Sequence, residues 1–331
     1  MEFNTLAELI QSVEQYRLRR KRKRKSGYGL REVKNDFPII PYNADMERLS
    51  YCTGSLKKLN DLVGMDDLKK DIINQILFYA QDLNTNEMMH TCLTGPPGVG
   101  KTTLGKILAE LYCSLGFLET DNFKVVTSAD LIAGYIGQTA LKTKKVLKSA
   151  IGGVLFLDEA YSIGSGDSDY TGYSKECADT INAFISENTT NFIMIIAGYQ
   201  HDLDKCFFSL NQGLRRRFPW IYDIKKYSIP NLIQIFKYQV INNNWDFDET
   251  ITPESLITIF NEHSTIFEHN GGDTLALFDK IKICHSRRVF GKQLKFKKTL
   301  TLTDIRLGAE LLKSHKNKLI KIKEIPFGMY V

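Results

Sequence analysis

The sequence predicts an α/β domain, a parallel sheet covered by helices in three layers, followed by a smaller helical domain. Three observations carry that reading. Val154-Leu155-Phe156-Leu157 and Ile193-Met194-Ile195-Ile196 are continuously apolar, as strands buried on both faces are. Between such runs lie stretches with apolar residues at helical spacing, so that strands and helices alternate. Beyond about Tyr227 the strand signals cease while helical periodicity continues. The length of 331 residues suits two or three domains, and 43% hydrophobic with 25% charged residues excludes a largely disordered or collagen-like chain.

The elements follow in order. Residues 1–50 differ from the rest. A short amphipathic stretch (Leu6, Ile10, Val13) runs into Arg17-Leu18-Arg19-Arg20-Lys21-Arg22-Lys23-Arg24-Lys25, with eight basic residues and no acidic one. The whole chain has a net charge of +6, so outside this block the net charge is −2. Ser26-Gly27-Tyr28-Gly29 and the prolines Pro38 and Pro41 suggest an extended segment, and residues 1–50 are expected to form a flexible basic arm. Residues 51–226 are expected to form the α/β domain. Leu68, Ile72, Ile73, Ile76 and Leu77 mark a helix, and His90–Thr94 a short strand. Leu104, Ile107, Leu108 and Leu111 mark the next helix. Phe123–Val126 and the two apolar runs supply further strands. Residues 227–331 are expected to form the helical domain and a tail, with helices at 229–242, 253–266, 272–289 and 302–315. The six cysteines are scattered, with no pair or histidine at metal-ligand spacing, which points to a reduced, intracellular chain. No apolar run approaches the roughly 18 residues of a membrane-spanning helix, and the polar N-terminus lacks the pattern of a secretory signal.

Two motifs carry chemistry. Gly95-Pro96-Pro97-Gly98-Val99-Gly100-Lys101-Thr102 fits G-x-x-x-x-G-K-[ST], with Thr103 following, between a strand and an amphipathic helix. Glycines let successive N–H groups approach a β-phosphate, and the helix start adds the positive end of its dipole. Lys101 is expected to neutralise β/γ-phosphate charge and the Thr102 hydroxyl to coordinate Mg²⁺. The second motif is Val154-Leu155-Phe156-Leu157-Asp158-Glu159, a buried strand with two carboxylates at its carboxyl end, where ligands of open α/β sheets bind. Asp158 is expected to hold Mg²⁺ through its water shell, and Glu159 to polarise an attacking water as general base. Together the motifs read as an ATPase.

Residues from roughly 60 to 315 resemble the AAA+ ATPases, and within them the CbxX/CfxQ-type branch that includes the red-type Rubisco activases. The resemblance rests on Leu62-Val63-Gly64-Met65-Asp66-Asp67-Leu68, Gly134-Tyr135-Ile136-Gly137-Gln138-Thr139, the Gly152–Tyr161 segment around Asp158 and Glu159, Ala197-Gly198-Tyr199, and Asn211-Gln212-Gly213-Leu214-Arg215-Arg216-Arg217-Phe218. It implies a P-loop αβα domain with a helical lid, ATP and Mg²⁺ as ligands, and a homo-oligomeric ring, most simply a hexamer. It implies adenine contacts near Val63 and Gly64, a pore loop at Tyr135, Ile136 and Gly137, and an arginine finger at Arg217 with Arg215 second. Two departures stand out: Tyr199 lies near the position where sensor 1 usually has Asn, and the lid start Asn270-Gly271-Gly272-Asp273-Thr274 lacks the usual sensor-2 arginine. The lid start and the Arg-Arg-Arg-Phe-Pro-Trp segment are similar to AAA-family ATPases of large DNA viruses.

The resemblance implies a ring that remodels a protein client through its pore. The basic block at 17–25 keeps open a nucleic-acid motor or loader, and it reads equally as a nuclear-import signal or a dock for an acidic partner. A cytoplasmic or nuclear location fits either use. The missing sensor-2 arginine keeps open a nucleotide-dependent scaffold with little turnover.

Overall fold

Five short strands, β1 (Thr91–Thr94), β2 (Phe123–Val126), β3 (Val154–Leu157), β4 (Ile193–Gly198) and β5 (Trp220–Asp223), form a sheet in the order β2-β3-β4-β1-β5 with every neighbour parallel. They are seen in a computed structural model that describes residues 3, 5–25, 44–81, 83, 88–135, 137–165, 171–293 and 296–323. Every residue of β1, β3 and β4 is buried, as the unbroken apolar runs of β3 and β4 require when both faces are covered. The register aligns Thr94 with Gly198 and Leu157 with Ile196, so the carboxyl ends of β1, β3 and β4 lie together. Strand β5 escapes the sequence reading. It is an edge strand in which only Tyr222 is buried, so it lacks the continuous apolar run that betrays β3 and β4.

Two compact units make up the chain: residues Met1–Gly95 with Lys101–Ile224, and Lys225–Val331 with Pro96–Gly100. In the first, helices α1 (Leu6–Lys25), α2 (Ala44–Tyr51), α3 (Thr53–Asp61), α4 (Asp66–Ala80), α5 (Lys101–Ser114), α6 (Thr139–Lys148) and α7 (Thr171–Glu187) accompany the sheet. Helix α5 runs close over β3. A Cβ on Gly105 would come within 2.7 Å of the Phe156 ring, so the glycine is there for close packing despite its roughly 1 kcal/mol penalty in a helix.

The flexible arm expected over 1–50 is corrected for residues 6–25. They form one helix packed on α2 and α3. Leu6, Leu9, Ile10, Val13 and Tyr16 recur every three or four residues and are buried, a full apolar stripe of which the sequence reading used only part. The basic block is thus the continuation of an anchored helix, and Arg20 pairs with Glu47 of α2. The extended segment expected around Gly27–Pro41 lies outside the described residues.

The second unit contains α8 (Ile229–Asn242), α9 (Pro253–Glu262), α10 (Gly271–Val289) and α11 (Leu302–Lys323) around a core of Leu232, Phe236, Phe260, Leu277, Phe278 and Ile305. It is helical except for a two-residue parallel pair, β6 (Asp246–Phe247) with β7 (Thr299–Leu300), too short to leave a sequence signal. Between α10 and α11 sits a buried ionic cluster. The Asp304 carboxylate receives hydrogen bonds from Arg288 (2.8–3.1 Å) and from the Thr301 N–H (3.0 Å), and lies 3.1 Å from His285 Nδ1. Burial alone would push the Asp304 carboxyl above the usual carboxylate range, but the bonds from Arg288, His285 and Thr301 outweigh it and hold the carboxyl down at about 2.

Candidate active site

Strand β1 stops at Thr94 and helix α5 begins at Lys101, leaving a loop whose Gly95, Gly98 and Gly100 have φ of 143°, 73° and 91°. Val99 is buried and anchors the loop, whereas Thr102 and Thr103 are exposed in the first turn of α5. Half-buried Lys101 donates from Nζ to the Gly95 carbonyl (2.8 Å), and its ammonium stands 5.7 Å from the centre of the Tyr199 ring, in the range of a cation–π contact. Tyr199, just past β4, is therefore part of the lysine's surroundings. Burial lowers the basicity of Lys101, and the negative charges of Asp158 and Glu159 oppose that shift. Charges felt over this range place the lysine and both carboxylates in one electrostatic neighbourhood.

The two carboxylates differ in setting. Asp158 continues directly from β3 and is half-buried. Glu159 is exposed and adopts a left-handed backbone, φ 48° and ψ 49°, with its N–H donating to Asp158 Oδ1 (3.1 Å). A left-handed non-glycine residue is strained by about 1–3 kcal/mol. Burial, then the Glu159 charge, pushes the neighbouring Tyr161 hydroxyl up to about 12. Thr102 and Asp158 offer a hydroxyl and a carboxylate, hard oxygen donors that fit Mg²⁺ shared with substrate phosphates. Among the described residues no cluster of three or more His, Cys, Asp or Glu could hold a metal by itself.

In the second unit residues 97–99 of the phosphate loop are bonded to the turn that opens α10 and to Tyr227, which precedes α8. Asn270 Nδ2 donates to Pro97 O (3.1 Å), the Gly271 N–H to Gly98 O (3.0 Å), and the Tyr227 hydroxyl to Val99 O (2.8 Å). The sequence reading missed these contacts. It noted the Asn-Gly-Gly turn as the place where an arginine is absent, but nothing in residue identity says what an asparagine there would touch.

The arginines are held within their own chain. Arg217 Nε donates to Ser186 Oγ (2.7 Å) and Nη1 to Gly213 O (2.8 Å). Arg215 donates to Asp204 Oδ1 (2.8 Å), and its guanidinium lies 4.8 Å from the Phe208 ring centre. Tyr135 is 73% exposed, so its ring faces solvent and is not packed in the core. Gly137 follows with φ 77°, while Ile136 lies outside the described residues. Val63 and Gly64 are half-buried in the turn before α4.

Residues 91–225 match the profile of the ATPase family associated with various cellular activities (AAA). The chain is 40% identical over 270 residues to a CfxQ-like protein, R730, of Acanthamoeba polyphaga mimivirus, covering 80% of this chain and 66% of that protein. It is 33% identical over 227 residues to stage V sporulation protein K of Bacillus subtilis, covering 65% of this chain and 69% of that protein. In three dimensions it is similar to the FIGL-1 AAA domain in complex with ADP, with a TM-score of 0.57 at 18% identity over 82% of this chain and 90% of that one. With an 18% identical neighbour the likeness speaks for the fold, while the sequence relatives speak for descent. The chain belongs to the AAA family of ATPases, in the CbxX/CfxQ branch and with a relative in a large DNA virus.

Proposed function

We propose that the chain hydrolyses ATP between neighbouring subunits of a ring and uses the cycle to remodel a protein client. The observation that carries this reading is the surroundings of Lys101, with Gly95 O, the Tyr199 ring and the charges of Asp158 and Glu159 all acting on one ammonium at the end of a glycine loop. The amides of 95–100 and Lys101 bind the phosphates, with Thr102 and Thr103 at the helix start and Val63 and Gly64 beside the adenine. Thr102 and Asp158 hold Mg²⁺, which when bound neutralises phosphate charge. Glu159 orients the attacking water and takes up its proton. Arg217, with Arg215 second, reaches a neighbour's nucleotide, and a guanidinium so delivered is worth about 10³–10⁵ in rate across P-loop enzymes. Exposed Tyr135 supplies an apolar grip on an extended polypeptide, with Gly137 allowing the loop to bend.

The test is ATP turnover by the full chain with Mg²⁺. Glu159→Gln should lower kcat by about 10²–10⁴ while nucleotide still binds, and Lys101→Ala should lose binding. Wild-type turnover that Glu159→Gln leaves unchanged contradicts the assignment, and a wild type without turnover favours the scaffold reading. A second role, recruitment of nucleic acid or an acidic partner through 17–25, is favoured by the position of that block on α1.

A further inference from the structure

We propose that Asn270 and Tyr227 are positioning residues for the nucleotide, fixing the carbonyl side of the phosphate loop and thereby aiming its amides. The proposal rests on the ATP-binding reading of that loop.

The carbonyls of Pro97, Gly98 and Val99 are consecutive, and all three accept hydrogen bonds from two neighbouring points of the same unit: the Asn270–Gly271 turn, through Asn270 Nδ2 and the Gly271 N–H, and Tyr227, through its hydroxyl. A trans peptide is planar, so its C=O and the following N–H point in opposite directions. Fixing the carbonyls of 97, 98 and 99 on one side therefore directs the N–H groups of Gly98, Val99 and Gly100 to the other. Successive N–H groups turned the same way form an anion-binding concavity.

The turn is built for this purpose on both faces of the Asn270 amide. Asn270 is fully buried, and while Nδ2 serves Pro97, its Oδ1 accepts the Tyr227 N–H (3.0 Å). One side chain thus ties the loop to the residue that supplies the third bond. Its backbone has φ 51° and ψ −121°, a positive-φ conformation outside the left-handed helical region that side chains rarely adopt. Burial pushes the Tyr227 hydroxyl up to about 12, so it stays a donor at any physiological pH. The fit leaves no slack. A Cβ on Gly98 would lie 1.9 Å from the His269 carbonyl oxygen, and the φ of 73° there is itself one that only glycine adopts freely. Where the resemblance implies an arginine that touches the nucleotide, this chain grips the loop that would hold it.

Two conservative substitutions test the idea in the full chain. Asn270→Asp keeps an acceptor for the Tyr227 N–H but sets a carboxylate oxygen against Pro97 O. Tyr227→Phe removes a single hydroxyl. Affinities for ADP and ATP are measured at a temperature below the melting point of every variant, beside Lys101→Ala as the non-binding control. Each substitution should weaken nucleotide about five- to thirtyfold and raise KM more than it lowers kcat, and the double variant should lose less than the product, because both act on one loop. A purely structural role would lower the melting temperature and leave affinity alone. Affinities of both variants within twofold of wild type overturn the proposal. Should Asn270→Asp fail to fold, Tyr227→Phe decides by itself. A wild type that binds no nucleotide overturns the ATP-binding reading first, and that result is distinct from a wild type that binds and variants that match it.

Discussion

His90 shows how far a single residue reports on the fold around it. It precedes β1, is 1% exposed, accepts the Met194 N–H at Nδ1 (3.0 Å), and packs against Phe192 and Phe218. Burial, helped by the Arg217 charge and opposed by a backbone bond at Ile185, lowers it from 6.5 to about 4. The unfolded chain then binds a proton at a pH where the folded one does not. Stability should be full above about pH 6.5 and fall as the pH drops toward 4, by up to about 3 kcal/mol. Urea unfolding at pH 7.5 and pH 4.5 checks this, and His90→Gln should show a smaller drop between the two. The phosphate-loop and carboxylate residues were legible in the sequence, because their chemistry depends on residue type and order. Asn270 and Tyr227 were not. Their role depends on which carbonyls lie across from them, and 173 positions separate Asn270 from the Pro97 oxygen it bonds.

Among the elements, β3, β4 and the helices of the second unit were legible because each carries its pattern within itself. Strand β5 and the β6–β7 pair were not, since β5 buries only Tyr222 and a two-residue strand has no run to read. Helix α1 was half legible. Its apolar stripe is present, but eight basic residues at its end masked a helix that folding anchors. The anchoring predicts that Leu9→Ala, at a fully buried position, destabilises the protein by about 2–5 kcal/mol in denaturant unfolding. An arm that did not pack would leave stability unchanged. In the second unit, Asp304→Ala removes the acceptor for Arg288, His285 and Thr301 at a site 1% exposed. It should cost roughly 3–5 kcal/mol by the same measurement, because it strands buried donors and a charge. The bonds to the Asp304 carboxylate should persist in wild type until the pH falls well below 4, since the carboxyl titrates near 2.

At the scale of the molecule, a net charge of +6 is divided between a basic helix and a remainder of −2. The chemistry lies in the remainder. The basic helix bears on recruitment, and replacing Arg17, Arg19 and Arg22 by Gln should leave ATP turnover unchanged while reducing retention on a polyanion column. The central claim is hydrolysis across a subunit boundary. Arg217 is held by Ser186 and Gly213 of its own chain, which fixes where its guanidinium stands. The most direct measurement is ATP turnover in mixtures of two inactive full-length variants, Glu159→Gln and Arg217→Ala. Each alone lacks one half of the site. In a mixed ring the intact Arg217 of one faces the intact Glu159 of the other, so activity should reappear on mixing and peak near equal proportions. Turnover that stays at the level of the separate variants, under conditions where wild type is active, would contradict the account.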